Sequence, residues 1–290
     1  MASSAEVFSF YRACCTSSEK FSFILRLVKL AVIVNPFLPE DLLKEAIELV
    51  EEAAKRNLVL RVFGGVAVQY HCPSFQKPSL NREIADIDLF GLSKQSPQLE
   101  KTFIDLGYIP AAKFNLYHGA KRLLFYEPKT NGRRDIFLDF FEMCHRLDLR
   151  KRLTASNFSI PLSELLMTKL QVVEINVRDY KDIISILVDH QVSDKESQEE
   201  IDCKHISKLC SADWGLYKTS TRNLGWTRSY LEKTDLEMDL KNLANGRIEM
   251  LIGAIEMEPK SARWKLRASI GERVSWYDEP EVPKVIRLGE

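Results

Sequence analysis

The strongest constraint on the fold is a short apolar run, Leu58 to Phe63, that ends on Gly64-Gly65 and passes directly into Val66-Ala67-Val68. Such a run bounded by glycine reads as a strand, and the residues beyond it fall in helical register. Strand, glycine turn and helix leave the first helical amides unpaired and the positive dipole end open to an anion. Glycine also lets the backbone approach that anion closely. A second strand, Ile84 to Leu89, carries Asp86-Ile87-Asp88. A third, Asp135 to Phe141, carries Asp135 and Asp139.

Side chains two apart along a strand share a face, so Asp86 and Asp88 project together, and the same holds for Asp135 and Asp139. Paired carboxylates repel one another and are costly to bury unless a cation lies between them. Oxygen ligands at this density suit Mg2+, which takes one or two carboxylates together with water and substrate phosphates. With the glycine turn, the acids imply phosphoryl-type transfer from a nucleoside triphosphate.

The rest of the chain places these segments. Pro39 to Arg56 predicts an amphipathic helix with Leu42, Leu43, Ala46, Leu49, Val50, Ala53 and Ala54 on its apolar side. Gln98 to Leu106 predicts a short helix, whereas Lys113 to Tyr117 and Arg122 to Tyr126 predict strands. Helices are expected from Leu162 to Val173 behind Pro161, from Val177 to His190, up to Cys210, and from Leu236 to Met257. The expected fold class is α+β, a mixed-sheet core followed by a mostly helical C-terminal region. The expected divisions are an appendage over residues 1–38, the core over 39–145 and the helical region over 146–290.

Composition narrows the classes. Lys plus Arg and Asp plus Glu both number 41 in 290 residues, and this balance argues against a nucleic-acid coat or a polybasic membrane binder. Six cysteines without a CxxC pair argue against a zinc ribbon or a thioredoxin-type site and point to a reducing, cytoplasmic setting. Cys144-His145 and Cys203-Lys204-His205 lack a second ligand pair for zinc. Phe21 to Val34 is the most apolar stretch, but Arg26 and Lys29 interrupt it, so no membrane span is expected. Lys260, Arg263, Lys265, Arg267 and Arg273 make the C-terminal region locally basic and mildly favour an anionic acceptor.

Phe63-Gly64-Gly65-Val66-Ala67, Asp86-Ile87-Asp88-Leu89-Phe90 and Asp135-Ile136-Phe137, taken in that order, resemble the nucleotidyltransferase superfamily of polymerase-β-like fold. More narrowly, the chain resembles the minimal nucleotidyltransferases of the AbiEii toxin type. Ile160 to Leu170 and Arg178-Asp179-Tyr180-Lys181-Asp182-Ile183 are similar to the second half of that pattern. The resemblance implies that Gly64 and Gly65 hold the triphosphate. It implies that Asp86, Asp88 and a third carboxylate bind Mg2+, two ions with NTP (ATP among them) in place. Asp135 is favoured as that third carboxylate and as activator of the attacking hydroxyl, with Asp139 second. Lys169 would face the phosphates or the base, and Asp179 or Asp182 would complete the nucleotide site. Arg178, beside Asp179, and His145, directly after the acidic strand, are further candidates.

The implied activity moves a nucleoside monophosphate from NTP to a hydroxyl of tRNA, a protein or a small molecule, and pyrophosphate leaves. The resemblance also admits an antitoxin partner. The alternative is a catalytically inactive nucleotide- or partner-binding module of the same fold. Two features depart from the pattern: about twenty residues separate the glycines from Asp86, and Val66 and Val68 stand where hydroxyl side chains often follow the glycines.

Overall fold

The computed structural model describes residues 40–280 other than 196 and 198, so the expected appendage and the apolar stretch Phe21 to Val34 lie outside the described residues. Strands β1 (Leu60–Phe63), β2 (Ile87–Gly91), β3 (Ile109–Pro110), β4 (Arg122–Tyr126) and β5 (Arg133–Leu138) form one sheet in the order β1-β2-β5-β4-β3. β2 and β5 run parallel and every other neighbouring pair is antiparallel, so the sheet is mixed. The fold is α+β.

Helix α1 (Glu40–Lys55) precedes the sheet, α2 (Gly64–His71) follows β1, α3 (Ser96–Asp105) follows β2, and α4 (Ala112–His118) lies between β3 and β4. A hairpin of β6 (Phe140–Glu142) and β7 (Arg146–Asp148) leads to the helical region. That region holds α5 (Leu162–Leu170), α6 (Val177–Asp189), α7 (Cys203–Ala212), α8 (Trp214–Leu231), α9 (Met238–Met257) and α10 (Ala262–Ile270). A two-residue pairing of β8 (Val192–Ser193) with β9 (Ile201–Asp202) sits between α6 and α7. Among the described residues no helix is long and apolar enough to cross a membrane.

Alternation gives the sheet two chemically different faces. On one, Leu60, Val62, Ile87, Leu89, Leu123, Phe125 and Ile136 are buried. The same face buries Arg134, which donates through Nε and Nη2 to the two carboxylate oxygens of Glu45 on α1, both at 2.5 Å. Phe103 of α3 stacks on Phe125 with ring centroids 4.7 Å apart. On the other face Phe63, Phe90 and Phe137 cluster with Phe141 from the hairpin, all pairs of centroids lying between 4.5 and 6.0 Å. Each such ring contributes about 1.5–3 kcal/mol by leaving water, so the cluster is a firm floor. Asp88 and Asp135 each stand two residues before a ring of that floor, on the same face.

One expected strand is a helix. Lys113 to Tyr117 alternates polar and apolar residues, yet it forms α4. Leu116 and Tyr117 are 79% and 80% exposed, while Asn115 is buried. The ladder to β4 ends at Pro110 and one further bond from Ala111 N–H to the Leu124 carbonyl. The Leu124 N–H is then met by Asn115 Oδ1 at 2.8 Å, so a side chain replaces the next ladder bond and the backbone is free to coil.

Candidate active site

The site begins where β1 turns into α2. Gly64 has φ +67°, a left-handed conformation that glycine adopts at no steric cost. A Cβ there would stand 2.2 Å from Asp88 Oδ2, because Phe63 and Asp88 are register partners across β1 and β2. The glycine is therefore required twice, by its backbone angle and by the carboxylate against it. The start of α2 carries no side-chain cap, and its first turn, Gly64 to Ala67, is buried; uncapped amides at such an end are the kind of donors that suit an anion.

Asp88 pairs in parallel register with Asp135. Burial, then the charge of Asp135 and more weakly that of Asp86, push the Asp88 carboxyl up to about 6, against the pull of Lys169 and Arg133. Asp135 is fully buried. Its oxygens receive Arg122 Nε at 2.7 Å and Arg122 Nη2 at 2.5 Å. Arg122 also lies over the Phe137 ring, its Cζ 4.3 Å from the centroid. Arg133 Nη2 stands 3.6 Å from Asp135 Oδ2 and 3.9 Å from Asp86 Oδ2. Asp88 and Asp135 thus share one sheet face, and Asp86, expected within the strand, lies just ahead of β2 and is joined to Asp135 through Arg133. Asp135 is occupied by an arginine, whereas the Asp88 carboxylate has no hydrogen-bond donor among the described residues.

A second network backs the glycines. The segment Phe158 to Ile160 bonds along β1, Val62 N–H donating to Phe158 O and Ile160 N–H to Val62 O, and this sets the start of α5. Lys169 of α5 reaches Asp182 Oδ2 at 2.8 Å and Asp179 Oδ1 at 3.6 Å on α6. Asp179 also closes the capping box of α6 with Asn176, which fixes its rotation. Asp182 further receives Arg82 Nε and Nη2, both at 2.7 Å. Burial disfavours the Asp182 charge, but Lys169 and Arg82 outweigh it and hold the carboxyl below its ordinary value. Burial likewise opposes the Lys169 ammonium, and Asp182 and Asp179 reverse that effect and raise its pKa.

Arg82 comes from the long connection between the glycines and Asp86. That connection is pinned along α6 by Ser74 N–H to Asp189 Oδ2, Lys181 Nζ to Asn81 O, and Arg82 to Asp182. A Cβ on Gly65 would meet Arg82 Nη2 at 2.7 Å, so the same arginine joins the network to the glycine turn.

Three expected candidates do not join. Asp139 lies just past β5 with φ +65°, and its carboxylate takes Ser93 N–H at 2.9 Å and Ser93 Oγ at 2.5 Å. It therefore caps the far end of β2, about 13 Å along the chain from Asp135 at 3.3 Å per residue. Sharing a strand face does not hold past Leu138, where the left-handed turn swings the side chain to Ser93. His145 is buried against α8, with Nε2 2.8 Å from Thr219 Oγ1, and burial lowers its pKa. Arg178 is exposed in the first turn of α6. Three arginines, Arg82, Arg122 and Arg133, were missing from the sequence-derived set. Arg133 was accessible to alternation, since it stands two residues before Asp135; Arg82 and Arg122 needed the tertiary register.

Among the described residues no three His, Cys, Asp or Glu side chains converge as a metal cage does. The donors fit a less demanding ion: Asp86 and the unpartnered Asp88 supply two carboxylates, and Mg2+ commonly takes its other ligands from water and phosphate. Asp135, held by Arg122, is not a free ligand in this arrangement.

No protein-family model matches the chain, and no curated protein does. It is similar to the lincomycin-bound lincosamide antibiotic adenylyltransferase LnuA, at 14% identity and a TM-score of 0.37, over 49% of this chain and 94% of that one. It is also similar to the antibiotic-resistance factor ANT(2'')-Ia, at 13% identity and a TM-score of 0.32, over 79% of this chain and 97% of that one. The chemistry rests on this chain's own residues.

Proposed function

We propose that the protein is a Mg2+-dependent nucleotidyltransferase of the polymerase-β-like superfamily, allied to the AbiEii toxin type. It would move a nucleoside monophosphate from NTP to an acceptor hydroxyl on tRNA, a protein or a small molecule. The observation that carries this reading is Asp88, a carboxylate with no hydrogen-bond donor among the described residues, pressed on Gly64 near Asp86 and Asp135, at the uncapped start of a helix. The α2 amides would receive the triphosphate. Asp86 and Asp88 would hold Mg2+, whose chemistry is to neutralise phosphate charge and polarise the reacting phosphorus. Lys169, Asp179, Asp182 and Arg82 would brace the cradle from behind. The acceptor oxygen would bond to the α-phosphorus as the bond to pyrophosphate breaks.

The test is incubation with each labelled NTP and Mg2+, with and without tRNA, protein or small-molecule acceptors. Label transfer with pyrophosphate release, lost in Asp86→Ala and Asp88→Ala, is the expected result. A second reading, a nucleotide-binding module without turnover, is favoured by one observation. Both oxygens of Asp135 are engaged by Arg122, which makes that carboxylate a weaker base toward an acceptor hydroxyl while the pair holds. NTP binding with no pyrophosphate released across the acceptor panel would select this second reading.

A further inference from the structure

Four cationic side chains border the acidic face and the glycine turn, and three are already committed. Arg122 gives two hydrogen bonds to Asp135. Arg82 gives two to Asp182, and Lys169 contacts the same carboxylate at 2.8 Å. Arg133 is different. Among the described residues its guanidinium makes no hydrogen bond: its nearest carboxylate oxygens lie at 3.6 and 3.9 Å, beyond bonding distance, and its Nε is buried without a partner. About a third of the side chain is exposed, 32%, so the group can reach an incoming ligand.

The surroundings call for such a group. The first turn of α2, Gly64-Gly65-Val66-Ala67, offers backbone amides and no side-chain donor. A triphosphate tail brought beside Asp86, Asp88 and Asp135 adds several negative charges to three carboxylates. A guanidinium matches a phosphate with two parallel N–H bonds, and here it would leave only loose ion pairs to do so.

We propose that Arg133 is the side chain that binds the terminal phosphates of the triphosphate, the part that leaves as pyrophosphate. This rests on the nucleotide reading above and adds a residue to it. Arg133 moves from its loose grip on Asp86 and Asp135 to a bidentate contact with the phosphates, while Arg122 stays on Asp135.

The experiment measures binding without any acceptor, in Mg2+ buffer, by titration calorimetry. The probes are each of the four NTPs, the four NMPs and inorganic pyrophosphate, against wild type, Arg133→Ala and Arg133→Lys, with circular dichroism as the check on folding. Loss of a charge-assisted bidentate contact predicts about 10- to 100-fold weaker NTP and pyrophosphate binding in Arg133→Ala. NMP affinity should stay within about 2-fold, since the contact is to phosphates an NMP lacks, and lysine should recover part of the loss. Equal weakening for NMP and NTP, or an unchanged NTP affinity in folded Arg133→Ala, overturns the assignment and leaves the nucleotide reading standing. A wild-type protein that binds none of the NTPs overturns both.

Discussion

Asp88 and Asp135 are direct partners across the parallel β2–β5 pair, yet Asp135 is held by an arginine and Asp88 has no donor among the described residues. Asp135 is buried against the guanidinium of Arg122, which bonds both of its oxygens. Asp88 keeps its charge against burial and against its neighbour, a condition that a bound cation would relieve.

Asp88 should therefore cost the metal-free protein stability. Its carboxyl is pushed up to about 6, above the unfolded value of roughly 3.9, so the folded chain holds the proton more tightly. Stability then falls as pH rises from about 4 through about 6, and the loss persists above that range. Asp88→Asn should raise stability at pH 7.5 by about 1–2 kcal/mol, discounted from the ~3 kcal/mol of the full shift because the side chain is half-buried. At pH 4 the two proteins should melt alike. Thermal melts in EDTA at both pH values check this, and an Asn variant less stable at pH 7.5 would contradict it.

The two glycines should respond unequally to alanine. At Gly64 the new Cβ meets Asp88 Oδ2 at 2.2 Å and the backbone sits at φ +67°. Left-handed strain of roughly 1–2 kcal/mol adds to displacement of a carboxylate, for a total of about 2–4 kcal/mol. At Gly65 the obstacle is the end of the Arg82 side chain, 2.7 Å away, with no positive φ. Arg82 can shift, so Gly65→Ala should cost about 1–2 kcal/mol. Urea unfolding of both variants gives the comparison, and equal losses would show that Asp88 does not stand against Gly64.

Much of this site was legible because strand periodicity is local. Spacing paired Asp86 with Asp88 and Asp135 with Asp139, the resemblance joined Asp135 to the first pair, and the β2–β5 register sets Asp88 directly beside Asp135. Lys169, Asp179 and Asp182 followed from the resemblance, and they do meet. What spacing could not supply was the charge balance. Arg122 reaches Asp135 only through the β4–β5 register, and Arg82 reaches Asp182 only because a connection of about twenty residues is pinned along α6. Local pattern also misled where backbone geometry changed. Asp139 leaves the strand face through a left-handed residue, and α4 replaces a strand because Asn115 satisfies Leu124.

Asp182 holds two buried cations, so its loss should be severe. Asp182→Asn leaves Lys169 and Arg82 without their main acceptor, at a cost of about 3–5 kcal/mol at pH 7. Its carboxyl is held below the ordinary value, so the stability it supplies is present above about pH 4 and fades as pH falls through the folded value. The gap between wild type and Asp182→Asn should narrow toward pH 3. Urea unfolding at pH 7 and pH 3 tests the sign, and a gap that widens in acid would refute the assignment.

Asp135, the favoured third carboxylate, and Asp139, the second choice, have different surroundings. Asn at position 139 tolerates the left-handed backbone and can still accept from Ser93 N–H while its amide donates to Ser93 Oγ. Asp139→Asn should cost under about 1 kcal/mol and leave NTP affinity within about 2-fold. Asp135→Asn instead strips the charge that faces Arg122 and Arg133. That change should cost about 3–5 kcal/mol, because Arg122 is left buried and uncompensated. Pairing it with Arg122→Met removes both charges and should recover part of the stability, without restoring pyrophosphate release. Melting temperature and pyrophosphate release, measured across these three variants and wild type, separate the fold's need for the pair from the reaction's need for the carboxylate. Full release in the double variant would remove Asp135 from the chemistry and leave it a purely structural partner of Arg122.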